Sequence, residues 1–552
     1  MRIRGRASQT GEPSLRRSLV LATLCLSLLV VSVDNTILNI ALPALVRQLH
    51  ATDSQLQWIV DSYAVVFGGL LLTAGGLGDR FGRKPVFLAG LLVFGAGSAG
   101  SAFAGSVGVL VASRAVMGVG AAGVMPATLS ILMDVYRDPG PRARAVGLWS
   151  ATTGLGIAIG PIAGGWLLSR YWWGSVFLVN VPIVVLGVAA ALLLVPDSRD
   201  PEHRRADVLG VVLSVAGMSA LLWAVIEIPQ RGWTSPAVLG VGAVAAGLLA
   251  AFVLAERRAP EPMIVLGPFR DRRFSVAMTA VAFAVFTLMG AMFLLTQYLQ
   301  FALGYSAFAA GIRILPVAGV LAVAAPLSTV LDRLAGTKAV VAAALALIGA
   351  GLWLASGTTP ADGFPHLLPA LLLLGCGAGL AVAPGTAAVL GALPRERAGV
   401  GSGTNGTALQ VGGALGVAVL GAVLSGRYQG RMSALLAGHA MPEPARRAIT
   451  GSLGGALAVA QQAGGALGTQ LAAVARVAFV DGMGLAFGAA AVVAFAAAGL
   501  VLAALPSRSR SAPSRSAPSG PASGESGSVP TSAEDPRIPD PRRSRAATPP
   551  AS

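Results

Sequence analysis

Apolar stretches long enough to cross a bilayer recur about fourteen times along this chain of 552 residues. A spanning helix needs roughly 20 apolar residues, and the stretches run from residues 19–42 to residues 477–504, separated by short polar gaps. With 55% hydrophobic and 12% charged residues, the composition cannot supply an ordinary water-exposed surface. The fold class expected is therefore an all-α polytopic membrane protein with 14 transmembrane helices.

Arginines fall mainly in every second gap. With both termini placed in the cytoplasm, thirty of the 40 basic residues lie on the inner side, as the positive-inside bias requires. An odd number of spans would destroy that alternation. The net charge of +16 is spread over short loops rather than gathered into a patch on a soluble module, so no nucleic-acid partner is expected. Cys25 and Cys376 both fall inside expected spans, forming neither a CxxC pair nor a cluster with histidine, so neither disulfide nor metal site is expected. The arginine-rich start resembles a signal peptide, but its apolar run continues without a small-residue cleavage signal, so it reads as a retained first helix.

Two polar connections divide the spans into six, two and six. The expected organisation is a cytoplasmic segment at 1–18, a six-helix bundle at 19–195, a linker region with two extra helices at 196–273, a second six-helix bundle at 274–505 and a disordered cytoplasmic tail at 506–552. The tail alternates Ser, Pro, Arg and Gly, which cannot build a core. Residues 427–476 lack spanning character and are expected as an outer segment, with a surface-lying helix as one option. The segment LDRLAGTK at 331–338 echoes LGDRFGRK at 77–84. Each falls between the second and third spans of its block, the internal repeat expected of an alternating-access transporter.

Ionisable residues within spans are costly, so each is a functional candidate. Asp34, Asp61, Arg114 and Arg313 all fall roughly 6–12 Å below the outer ends of their helices, at 1.5 Å per residue. Asp61 and Arg313 occupy matching positions in the two blocks, which suggests groups facing a shared cavity. On the functional reading, a carboxylate exchanges a proton for a cationic substrate while an arginine neighbour tunes it. On the plainer one, Asp34 caps a broken helix, Asp61 is interfacial and Arg114 ties helices together.

The loop at 75–85, with Gly76, Asp79, Arg80, Gly82, Arg83 and Lys84, combines glycines for a tight turn with charges for an ionic latch. It neither fits GxGxxG nor follows a strand, so a nucleotide site is not expected. In the fifth span, Gly156, Gly160 and Gly164 form an i,i+4 stripe and Pro161 removes a backbone donor. This reads as a hinge within the bundle or as a dimerisation face. Gln297, Tyr298 and Gln300 line a cavity or sit at the interface.

Taken together, these motifs resemble the major facilitator superfamily, in its fourteen-helix drug:proton antiporter family. The loop motif is matched by Gly76, Leu77, Asp79, Arg80, Gly82, Arg83 and Lys84, the first-helix pattern by Asp34, Asn39, Ala41, Leu42 and Pro43, the fourth-helix pattern by Arg114, Gly118 and Gly120, and the fifth-helix signature by Gly156, Gly160, Pro161, Gly164 and Gly165. QWIVDSY at 57–63, FLVNVP at 177–182 and GTNGTALQVGGALG at 403–416 extend the match. YWWGSVF at 171–177 departs from it, lacking an arginine that the family more often has there.

The resemblance implies two six-helix bundles plus two additional helices. It also implies proton-driven export of small amphipathic compounds, with Asp34 and Arg114 in coupling and the Asp79 loop in conformational switching. No catalysis and no cofactor is expected. The expected partners are a small-molecule substrate, protons and membrane lipids, with the chain acting as a monomer in a bacterial cell membrane. A receptor or sensor that no longer transports, and a facilitator-type importer, are the alternatives.

Overall fold

The computed structural model describes residues 12–197, 207–259, 267–391 and 398–504. Expectations for the N-terminal segment up to residue 11, the basic clusters at 199–205 and 395–397 and the tail fall outside these residues.

The first six spans are α1 (Glu12–Leu49), α2 (Asp53–Phe81), α3 (Arg83–Ala102), α4 (Val107–Val135), α5 (Pro139–Arg170) and a sixth made of α6 (Ser175–Leu178) and α7 (Asn180–Leu194), which meet at Val179. α8 (Val208–Arg231) and α9 (Pro236–Arg258) form the inserted pair. The last six spans comprise α10 (Arg272–Gln297), running into a π-helical turn at Tyr298–Ala302, then α11 (Ala307–Ala335), α12 (Thr337–Ser356), α13 (Phe364–Gly391) and α14 (Ala398–Leu435). Two short helices, α15 (Glu443–Gly451) and α16 (Leu453–Ala463), precede the final span, α17 (Gly465–Ala504). Among the described residues, 13 helical stretches are long and apolar enough to cross a membrane. The 29-residue α2, which carries Asp53, Asp61 and Asp79, completes the fourteen.

Residues 427–476 differ from expectation. α14 continues to Leu435, α17 begins at Gly465, and α15 and α16 occupy most of the interval. Hydropathy detects the apolar length of a span, whereas a helix continues past it wherever its polar side chains can project into water. Tyr428 on the α14 extension fixes this region by donating to the carbonyl of Ile449 at 2.9 Å and lying 3.2 Å from that of Ser452.

The internal repeat is visible in the packing. α1 packs on α5 as α10 does on α14, α2 on α4 as α11 on α13, and α3 on α4 as α12 on α13. The joints repeat too: Gly82 alone links α2 to α3 with φ +101°, and Gly336 alone links α11 to α12 with φ +84°. Only glycine takes this backbone without strain, so the echo between 77–84 and 331–338 is one joint used twice. Two further pairings join the sets, α2 with α14 and α5 with α11, and they too are equivalent under the repeat.

The inserted pair lies beside one of these seams. α8 packs on both α2 and α14, while α9 packs on α8. Val215 of α8 fills the space over Gly69 of α2, and Gln230 donates to Ser54 at 2.6 Å.

Candidate functional site

The helices have one end at His50 and the other at the Gly82 joint. Near the His50 end the sets are tied together. Gln300 donates to the carbonyl of Ile40 at 3.0 Å, and the Arg47 guanidinium lies 5.9 Å from the Phe301 ring centre. Gly165 lies against α11 so closely that a Cβ would sit 2.6 Å from Phe308 Cα, and one on Gly311 would sit 2.3 Å from the Pro161 carbonyl oxygen. Two to three turns nearer the Gly82 end, a Cβ on Gly154 or Gly319 meets nothing within 4 Å. α5 and α11 therefore touch near His50 and diverge toward Gly82.

Within that divergence lies a cavity lined from α1, α5, α10 and α11, including Thr36, Asn39, Pro161, Met289, Met292 and Thr296.

Asp34 is on α1 as well, but two residues from Thr36, a rotation of about 200°, so it faces away from the cavity into the first set of helices. There it is wholly buried and pairs with Arg114 of α4 at 2.5 Å. Asn180, the first residue of α7, donates to the other Asp34 oxygen at 3.1 Å and lies 3.0 Å from Ser98 Oγ. Ser98 in turn donates to the Phe177 carbonyl at 2.8 Å. Arg114 Nε donates to the Ile59 carbonyl at 3.3 Å, and the guanidinium lies 4.3 Å from the Tyr63 ring centre. A buried ion pair is tolerated only with such additional partners. Helices α1, α2, α3, α4 and α7 are thus joined in one network around Asp34 and Arg114. Asn180 was not singled out from sequence as a site residue. Its signal was an amide in an apolar run, beside the break between α6 and α7.

The other two intramembrane charges lie elsewhere. α2 and α14 run antiparallel in a regular register, with Ser425 3.4 Å from Asp53, Gly421 against the Gln57 amide, and Thr407 donating to the Gly68 carbonyl at 3.0 Å. Asp61 shares that face of α2, one turn beyond Gln57, and is fully buried, with neither carboxylate oxygen hydrogen-bonded among the described residues. Arg313 donates to the Ala309 carbonyl at 3.0 Å and lies 3.9 Å from the Tyr305 ring centre. Among the described residues, none of the four charged residues lines this cavity. Depth along a helix says nothing about which face a residue occupies. Gln300, expected either to line a cavity or to sit at the interface, ties α10 to α1.

The fifth-span motif is packed inside the molecule. Cβ atoms on Gly156 and Gly160 would lie 2.5 Å from Ser32 Cβ and 2.0 Å from Thr36 Oγ1, and one on Gly164 would lie 2.7 Å from Ile37. The stripe thus lets α5 press on α1, leaving it no free face for dimerisation. In the joint region, Arg83 forms an ion pair with Asp134 at the end of α4, Lys84 donates to the Leu192 carbonyl at 3.1 Å, and Arg80 lies 5.1 Å from the Phe81 ring centre. Gly76 and Asp79 belong to α2, but the Asp79 side chain is outside the described residues, so the latch expected of it is not seen directly.

Two repeat-related sets of membrane helices, meeting at one end around a central cavity beside a buried ion pair, define a transporter scaffold. Residues 24–417 match the sequence profile of the Major Facilitator Superfamily, and the chain belongs to that family. It is 33% identical over 487 residues to the Tetracenomycin C resistance and export protein of Streptomyces glaucescens, covering 87% of this chain and 90% of that one. To the Multidrug efflux pump LfrA of Mycolicibacterium smegmatis it is 34% identical over 508 residues, covering 90% and 98% respectively. Among solved structures, a bacterial homolog of the human lysosomal transporter Spinster, in an inward-facing and occupied conformation, superposes with a TM-score of 0.62 at 19% identity, over 88% of this chain and 97% of that one.

Proposed function

We propose that this protein exports small amphipathic compounds across a bacterial cell membrane in exchange for protons, by alternating access, as a monomer with both termini in the cytoplasm. The observation that carries this reading is the double role of α1. One face presents Asp34 to Arg114 and Asn180, and the other presents Thr36 and Asn39 to the cavity. Proton arrival at Asp34 removes the charge that holds Arg114, and any shift of α1 that follows is felt at the cavity wall. The arginine-rich gaps on the Gly82 side support a cytoplasmic position for that side, and with it an inward-open conformation. The names of the relatives, concerned with resistance, export and efflux, agree with export.

Asp61 is the second proton-carrying candidate. A buried carboxylate without partners is costly, and proton uptake or opening of the α2–α14 seam relieves that cost. Arg313, against Tyr305, is a further candidate for proton coupling or substrate binding. Gly76, Asp79, Arg80, Gly82 and Arg83 act in conformational switching at the joint, and Gly160, Pro161 and Gly164 at the α1–α5 and α5–α11 contacts. Residues 19–195 and 274–505 are the two moving bundles, and 196–273 carries the pair of helices beside the α2–α14 seam.

The test is substrate-induced proton movement in vesicles of purified protein. Export requires a proton flux opposite to substrate that vanishes in Asp34→Asn. Substrate flux with no proton movement in the wild type would make the chain a facilitator, and binding without flux would make it a receptor.

A further inference from the structure

Resting on the export reading, we infer a proton-binding position apart from the cavity: Asp53 takes protons at the His50 end and passes them to Asp61 along the seam between α2 and α14. Asp53, Gln57 and Asp61 recur every fourth residue on the face of α2 turned to α14, and all three are almost wholly buried. The hydroxyl of Ser425 donates to one Asp53 oxygen at 3.4 Å. The other Asp53 oxygen, both carboxylate oxygens of Asp61 and both amide atoms of Gln57 have no hydrogen-bond partner among the described residues. A helix start favours a carboxylate, yet burying one without a counter-charge is costly, and a proton removes that cost. The charged side chains of the neighbouring elements are committed elsewhere: Arg427 and Arg431 of α14 to Asp481, Glu227 of α8 to Arg231, and Arg114 of α4 to Asp34. Arg47 of α1 lies against the Phe301 ring. Tyr428, the titratable neighbour of Asp53 on α14, donates its hydroxyl to the Ile449 carbonyl.

This face of α2 is polar on one side of Asp61 only. Toward His50 each turn carries a polar group, Gln57 and then Asp53. Toward Gly82 the next turn carries Val65, closed in an apolar cluster with Leu222 and Ile226 of α8 and Ala414 and Ala418 of α14. Protons therefore reach Asp61 from the His50 end, the outer one on the export reading, and the inserted pair helps to close the inner side. Asp53 and Asp61 lie about 12 Å apart along the helix at 1.5 Å per residue, too far for direct transfer. The amide of Gln57, midway, both donates and accepts, and it positions the water admitted when the seam opens. Asp53 takes a proton from outer water and releases it through that water to the Asp61 carboxylate, so Gln57 is a positioning residue. α2 and α14 belong to different sets, and the repeat-related seam, α5 with α11, borders the cavity. The two equivalent seams thus divide protons and substrate between them.

The experiment follows the carbonyl stretch of protonated carboxyl groups by time-resolved infrared spectroscopy, with the full chain in lipid nanodiscs and protons released by a flash from a caged acid. Asp61→Asn identifies the Asp61 band by its loss. Asp53→Asn, which keeps the hydrogen bond with Ser425, is expected to remove an earlier band and to slow the rise of the Asp61 band at least tenfold, and Asp53→Glu to restore that rate to within threefold. Gln57→Leu, which leaves both carboxylates in place, is expected to keep both bands and slow the second at least tenfold, and it decides the matter should Asp53→Asn fail to fold. An Asp61 band that rises at the wild-type rate in Asp53→Asn or in Gln57→Leu overturns the inference, as does a set of bands unchanged by the loss of Asp53. This readout requires no transport. The expected bands without substrate-driven proton movement in vesicles leave the proton route standing and refute proton-coupled export, whereas coupled flux with an unslowed Asp61 band leaves export standing and refutes the route.

Discussion

Asn180 Nδ2 lies 3.1 Å from Asp34 Oδ1, so the carboxylate that Arg114 holds by one oxygen is held by α7 through the other. The break between α6 and α7 at Val179 puts this amide at the start of a helix, where it meets both Asp34 and Ser98. Asn180→Leu should destabilise the protein by about 1–3 kcal/mol, the cost of leaving buried polar partners unsatisfied. Thermal unfolding in detergent and proton-coupled flux would both be lowered, and an unchanged flux would confine Asn180 to a structural part.

Asp34→Asn abolishes titration while preserving size. It also leaves the Arg114 guanidinium buried without its counter-charge, a loss of up to about 3–5 kcal/mol. The variant should insert into membranes with a lowered melting temperature and lose uphill export. Adding Arg114→Met should restore much of the stability but none of the coupling. Recovery of proton-driven flux in the double variant would remove the pair from the coupling step.

Gly160→Ala places a methyl group 2.0 Å from Thr36 Oγ1. Overpacking of this kind costs about 1–3 kcal/mol, and Thr36→Ala should return part of it, since the next contacts lie at 3.0 Å. A double-mutant cycle in melting temperature measures the coupling. Additive effects would show that α5 relaxes away from α1 without strain.

Gly311→Val would collide with the Pro161 carbonyl and so prevent the close approach of α5 and α11 near His50. The population should shift toward a form opened at that end. Spin labels on the exposed residues Gly105 and Ala361, in His50-end loops of the two sets, should show a longer distance than in the unsubstituted background. An unchanged distance distribution would mean that closure does not depend on this contact.

Reporter tags at residues 12, 200, 265 and 515 should report the cytoplasm, and tags at 232 and 440 the outside. If 200 and 232 reported the same side, the pair α8–α9 would not cross the membrane as two spans.

Fourteen spans, the repeat at Asp79 and Asp332, the glycine stripe of α5 and the identities of Asp34 and Arg114 were all legible in the sequence. Each is a property of residue type and spacing along one chain: apolar length specifies a span, and a stripe of small residues marks a close contact. The sequence equally marked Gly82 as a joint, because only glycine combines that turn with so short a connection. Partnership was not legible. Asp34 and Arg114 are 80 residues apart and Asp34 and Asn180 are 146 apart. Which faces of α1, α4 and α7 meet depends on the rotation of each helix about its axis, which ridge-and-groove packing decides across the whole bundle. For the same reason only the tertiary structure could separate Asp34 from Thr36, turning the acid inward to Arg114 and the hydroxyl toward the cavity.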